Sequence, residues 1–325
     1  MRSNLRKGKA QIPSGLDFKL KITTFVSMRK HIIYVTFLSL FIFIFEGCET
    51  EKSFIPSYLK IDSVLVDAKS ISGNNVHQIA AIQLYQNKTF LGTYPIPSKI
   101  PINAEGKNVF SFAPYVRMNG NSSQLAPYLS LQFQDTALNV ARSSVTEFVP
   151  IFKYRQTAKI LWQEDFEDVS STLVPVAVAK GDTTFMDLRD FDLDGRFMGK
   201  SKVFVAKFQN IDTFKSMDLA SFTTFKSIPV DGTDVYLDLD IKTDLPLQIS
   251  LRRTSPTKGT EFVNYLLINP TKGKWKRFYI DFVYETQGQP TGTTFEIFFS
   301  TDKGKDFTGS HEILIDNLRL SHLNK

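Results

Sequence analysis

The sequence is poor in the residues that most often carry chemistry. Its 325 residues include one cysteine, Cys48, two tryptophans and four histidines. A single thiol excludes an intramolecular disulfide and a thiolate zinc site. Beyond residue 48 the histidines are His77, His311 and His322, scattered with no HExxH, and there is neither a GxSxG elbow nor a Gly-rich phosphate loop. The uncharged run Ile32 to Phe45 is fourteen residues long, too short for a membrane-spanning helix. Excess charge is also missing where it would matter. The formal net charge of +6 arises in the first 47 residues, which hold eight of the 39 Lys and Arg but two of the 33 Asp and Glu. The remainder has 31 of each sign, with no basic stripe of the kind nucleic acid requires. No cofactor is expected, and an enzyme is not the expected reading. Carboxylate pairs for glycoside hydrolysis are not excluded by counting, because only their separation in space would identify them.

What is present begins with targeting. Met28-Arg29-Lys30-His31 supplies a start methionine and a positive flank, Ile32 to Phe45 an apolar region, and Gly47-Cys48 a small residue before a thiol. Residues 1–47 are therefore expected to be leader and signal peptide with the start at Met28, and 48–53 a tether. FIFIFEGC resembles the lipobox of bacterial lipoproteins, departing from it at Phe45 and Glu46, where that motif carries Leu and a small residue. The resemblance implies lipidation of Cys48; the alternative is a free cysteine after an uncleaved signal anchor. Glu49-Thr50-Glu51-Lys52 resembles the acidic export tag of Bacteroidota-type surface lipoproteins, which implies a lipid-anchored protein of the outer membrane, exposed at the cell surface.

The other 278 residues are ample for two ordinary domains. Phe is abundant, 23 of the chain's 29 lying here, and Val, Ile, Thr and Tyr recur in short alternating runs broken by Gly, Asn, Asp and Pro. With no sustained 3.6-residue apolar period, an all-β chain of two β-sandwich domains is expected, over 54–150 and 158–325. In the first, Ile82, Leu84 and Phe90 place two strands around Gln86-Asn87-Lys88, and Pro95, Pro97 and Pro101 suit a sheet edge. The stretch from Ile79 to Pro114, with LGTYPIP and EGKN, resembles the PEGA-type or Ig-like small β-sandwich. The hairpin Phe90 to Tyr94 is a candidate contact patch.

In the second, ILWQEDFEDV and EILIDNLRL resemble the first and last strands of galactose-binding-like jelly rolls, the fold of many carbohydrate-binding modules. KWKRFYIDF, TTFEIFFS, DVYLDLDIK and LPLQISLRR resemble strands between them. The resemblance implies a jelly roll, and a structural calcium ion on Glu167 and Asp316 with Asp165 as helper; solvated or turn-capping carboxylates are the alternative. RDFDLDGRF has the first half of a calcium loop but Ser201 at position twelve, so Phe191 and Leu193 on one face of a hairpin, with Asp194-Gly195 as its turn, is the favoured reading. A glycan platform would need exposed aromatics, and alternation sets Trp275, Arg277 and Tyr279 on one face. Three functions remain in order: a non-catalytic docking subunit of an outer-membrane protein complex, a carbohydrate-binding surface lipoprotein using Trp275 and Tyr279, and a glycan-active enzyme.

Overall fold

The computed structural model describes residues 56–68, 76–176, 183–193, 195–209, 215–304 and 308–324. The leader, Cys48, the tether and Asp194 lie outside the described residues. Among the described residues all regular structure but one helical turn is strand. The first half contributes β1 (Ser57–Ile61), β2 (Leu65–Asp67), β3 (Ala81–Gln86), β4 (Thr89–Pro95), β5 (Ser98–Ile102), β6 (Gly106–Arg117), β7 (Leu125–Pro127), β8 (Gln134–Val140), β9 (Val145–Glu147) and β10 (Ile151–Lys153). They form sheets in the orders β4-β3-β6-β7 with β8 also on β6, β5-β1-β9, and β10-β2. The β3–β4 hairpin follows from its turn: Asn87 and Lys88 both take positive φ, +48° and +70°, the pair that matches strand twist in a two-residue loop. β4 and β5 are edge strands, so the donors missing at Pro95 and Pro101 leave no ladder bond unmade. Alternation buries Leu59, Ile61, Ile82, Leu84, Phe110 and Phe112 between these sheets.

The second half contributes β11 (Ala158–Glu164), β12 (Leu173–Pro175), β13 (Thr183–Leu193), β14 (Arg196–Phe208), β15 (Lys215–Ser221), β16 (Val235–Thr243), β17 (Leu247–Ser255), β18 (Gly259–Ile268) and β19 (Lys276–Asp281). The turn α1 (Val283–Thr286), β20 (Thr294–Lys303) and β21 (His311–Leu323) complete it. One sheet runs β13-β14-β21-β16-β19 with β11 also on β21, the other β12-β15-β20-β17-β18. First and last strands thus lie side by side. Leu237, Leu239 and Ile241 face Leu247, Ile249, Leu251, Phe295, Ile297 and Phe299 across the sandwich, an all-β core of interleaved aliphatic and aromatic side chains.

β16 is buried on both faces, because its other side carries Tyr236, Asp238 and Asp240 against the first half of the chain. β21 changes phase to serve the same surface. Ile313 and Ile315 face the sandwich core, then Leu318 and Leu320 do, while Asn317 takes φ +51° between them. The ladder slips there, with Asp240 paired to Asp316 and Asp238 to Arg319. That bulge turns Asp316, Asn317 and Arg319 away from the sandwich core. Residues 56–325 pack as one unit, whose halves meet on the buried rings of Tyr128, Tyr236 and Tyr279.

Candidate functional site

Two surfaces of the second sandwich concentrate polar chemistry, and the first is sealed. Behind the six-stranded sheet Arg277 donates to Asp238 (2.5 Å) and Asp240 (2.9 Å), and all three side chains are wholly buried. Tyr128 of the first half donates to Asp238 (3.1 Å) and Asn317 to Asp240 (2.8 Å). These bonds replace most of the water such charges lose, whose burial would otherwise cost several kcal/mol per ion, while Asp240 Oδ1 and Arg277 Nε bond to no described residue. Burial still pushes Asp240 up to about 6. His77 closes the layer. Arg319 has only protons to give, so His77 Nε2, at 3.3 Å, accepts, and Nδ1 carries the hydrogen. Burial, then Arg277 and Arg319, holds His77 well below the usual imidazole range.

This geometry covers the aromatic platform that the alternative, carbohydrate-binding reading placed on Trp275 and Tyr279. Alternation does place Trp275 and Tyr279 on one face, but the face is covered. Trp275 is buried under Phe191 and Leu193 of the β13–β14 hairpin and donates to the Asp190 carbonyl (3.1 Å). Tyr279 is buried against Tyr128, its hydroxyl accepting from Gln78 N (2.9 Å). Neither ring offers a face to a sugar. The hairpin that covers Trp275 is the one expected from RDFDLDGRF, with Gly195 at φ +74°.

Glu167 and Asp316 do converge. Ser201 Oγ lies 3.0 Å from Glu167 Oε1 and 3.0 Å from Asp316 Oδ2. Asp165 instead accepts from Glu167 N (3.3 Å), capping its own turn. A hydroxyl has one proton and cannot donate to both carboxylates. Asp316, pushed up to about 8 by burial and then by Asp240, resolves this by keeping its proton and donating to Ser201, which donates to Glu167. The Lys202 ammonium takes the Glu167 carbonyl (2.9 Å), an oxygen a hard cation would want. Among the described residues no three His, Cys, Asp or Glu side chains gather as ion ligands. Without an ion a proton and an ammonium occupy oxygens that the expected calcium would use, so the structure brings Glu167 and Asp316 together and leaves Asp165 to its own turn.

The second surface is the outer face of the five-stranded sheet, exposed at Thr254, Phe262 and Asn264 and buried at Ser250 and Phe298. Alternation sends Leu247, Ile249 and Leu251 inward, so Gln248, Ser250, Arg252 and Thr254 point out. Ladder pairing sets Phe262 and Glu296 on either side of Arg252, and Asn264 and Phe298 on either side of Ser250. Arg252 binds Glu296 through two parallel bonds of 2.6 and 2.5 Å, which lock the guanidinium flat. It lies 5.1 Å from the Phe298 ring centre and 5.9 Å from that of Phe262. The rings meet edge to face at 5.1 Å, and Phe262 stays 59% exposed. Beside them Ser250 donates to Asn264 (2.9 Å), and the hydroxyls of Thr254 and Thr260 are 3.0 Å apart. A propped aromatic ring ringed by amide, hydroxyl and ion-pair groups can pack on an apolar ring face while hydrogen-bonding its edge. Sequence reasoning missed this face; the alternation in LQISLRR was its signal.

No family model and no curated protein matches the sequence. Among solved structures, the chain is similar to the enzymatically active domain of bacteriophage CBA120 tailspike protein 4, at 17% identity and TM-score 0.34, over 49% of this chain and 20% of that one. It is similar to the CBM22-1–GH10 modules of a Clostridium thermocellum endo-1,4-β-D-xylanase complexed with xylohexaose, at 10% identity and TM-score 0.35, over 51% and 29%. A third is the CBM22-2 xylan-binding domain from a Paenibacillus barcinonensis protein, at 13% identity and TM-score 0.32, over 50% of this chain and 99% of that one. The chain thus spans less than a third of the first two.

Proposed function

We propose that this chain is a non-catalytic glycan-binding protein whose ligand lies along the outer face of the five-stranded sheet, held at a membrane surface by lipid on Cys48. The observation that carries the reading is the pairing of an exposed ring, Phe262, with the immobilised Arg252–Glu296 pair and the exposed polar groups of Asn264 and Thr254. A saccharide presents a C–H face and a rim of hydroxyls, and this surface offers a partner for each. The groups are held by strands and by one another, so little freedom is lost on binding. Glu296 is committed to Arg252, which suits a binding surface more than an acid catalyst. The test is affinity electrophoresis of the protein through gels containing plant, algal and bacterial polysaccharides. Retardation by at least one neutral or acidic polysaccharide is expected. Unchanged mobility in every gel would overturn the proposal.

A docking subunit remains the second reading because of one apolar region. Leu65, Ile151 and Met198 are about half exposed around a depression of about 470 Å³ also lined by Val64, Val66 and Leu193. If docking is the function, crosslinking in cells should trap a membrane-protein partner through this region, and Leu65→Glu should abolish the adduct. Phe90, the earlier candidate for this role, is also exposed but packs its ring on Tyr85 at 5.5 Å.

A further inference from the structure

We propose that the cleft between β19 and the turn after β6 is a binding site for an oxyanion, a carboxylate or a sulfate group, separate from the outer sheet face. The cleft holds about 240 Å³ and is lined by Gln78, Arg117, Ser122, Lys276, Phe278 and Tyr279 among others, with no carboxylate among the described residues of its walls. Its third cation, Arg277, is already neutralised from behind by Asp238 and Asp240, so those acids do not cancel the charge at the mouth. Arg117 and Lys276 are exposed, and neither has an ion-pair partner among the described residues. Two cations that hold no carboxylate within bridging distance line one concavity with low-dielectric walls and focus a positive field there, although Lys276 also borders the depression of Asp190 and Asp192.

The cleft is also preorganised. Asn119 N donates to the Tyr279 carbonyl (2.7 Å), Asn119 Oδ1 accepts from Asp281 N (3.3 Å), and Met118 bridges to Tyr279, so the turn that follows Arg117 is fixed to the strand that carries Lys276. Gly120 takes φ +67° against the Phe278 ring, where a Cβ would come within 2.6 Å of a ring carbon. The close approach is available only to glycine. The Ser122 hydroxyl and Gln78 side-chain amide hydrogen-bond to no described residue and remain available to a ligand's oxygens. Planar or tetrahedral oxyanions bind through such combinations of guanidinium, ammonium and neutral donors.

The experiment is calorimetric titration of the full chain in mild detergent with sodium glucuronate and, separately, sodium sulfate. It is run at physiological ionic strength, where diffuse attraction beyond about 8 Å is screened. Saturable one-to-one binding of at least one anion is expected, and which one binds tells a uronate from a sulfate ester. Arg117→Ala and Lys276→Ala should each weaken binding about tenfold or more, as loss of a charged hydrogen bond does. Lys276→Arg should retain it, and Phe262→Ala should leave it unchanged. The absence of saturable binding for both anions would overturn the proposal, as would full affinity in the Arg117→Ala/Lys276→Ala variant. Because Phe262 is not in this cleft, failure here is distinguishable from failure of the sheet-face reading.

Discussion

Replacing Asp316 by Asn isolates one buried proton. Its two oxygens have defined roles: Oδ1 accepts from Asn317 N (2.7 Å) and Oδ2 meets Ser201. Asn keeps the first as a carbonyl and supplies through its NH₂ the donor that protonated Asp316 gives to Ser201, so the hydroxyl still donates to Glu167. With its pKa pushed up to about 8, folded Asp316 holds a proton that the unfolded chain releases near its ordinary value. Between those values the native state binds more protons, so stability falls as pH rises, by about 1.4 kcal/mol per unit for one group. Other groups restrict the clean window. Asp240 and Asp281, both near 6, add the same slope at lower pH. His77, buried neutral, adds the opposite slope below its unfolded value of about 6.5. From about pH 6.5 to about pH 8 Asp316 acts nearly alone. Wild-type stability should drop there by roughly 2 kcal/mol, read as a fall of roughly 4–8 °C in Tm, while Asp316→Asn stays level. Parallel profiles for the two proteins would refute the assignment of that proton.

Trp275→Ala should cost about 3–5 kcal/mol, as aromatic truncations in cores do, and loosen β13 and β14, seen as faster amide exchange from residue 185 to 205. A sugar-platform role would instead leave Tm unchanged. Calcium or a chelator should leave Tm unchanged at neutral pH, since mass action requires a folded-state site; a calcium-dependent rise lost in Glu167→Ala/Asp316→Ala would reverse the reading of that cluster. Cys48→Ser should lose radiolabelled fatty acid and leave the membrane fraction, and continued labelling would rule out lipidation at that thiol.

Much of the fold was legible because its signals are local. Asn87-Lys88 dictates a tight turn, and prolines at β4 and β5 are tolerated only where no ladder donor is needed. The hairpin in RDFDLDGRF could be read from its alternation. The sites were harder because each depends on what covers a face. The parity of Trp275 and Tyr279 was readable, but the hairpin and Tyr128 that bury them come from about 80 and 150 residues away in sequence. Asp238 and Asp240 look like a solvated strand edge until Arg277 arrives from β19. No residue type announces the bulge at Asn317, without which Asp316 and Arg319 would not both turn from the sandwich core. Arg252, Phe262 and Glu296 come from three strands, and only ladder register brings them together.

Whether a saccharide lies on the face carrying Phe262 and Arg252 is tested most directly by the affinity of a retarding oligosaccharide for wild type and for the Phe262→Ala and Arg252→Ala variants. Each substitution should cost at least about tenfold, equivalent to about 1.4 kcal/mol, with Phe262→Ala unchanged in Tm because that ring is mostly exposed. Wild-type affinity in both variants would place the ligand elsewhere.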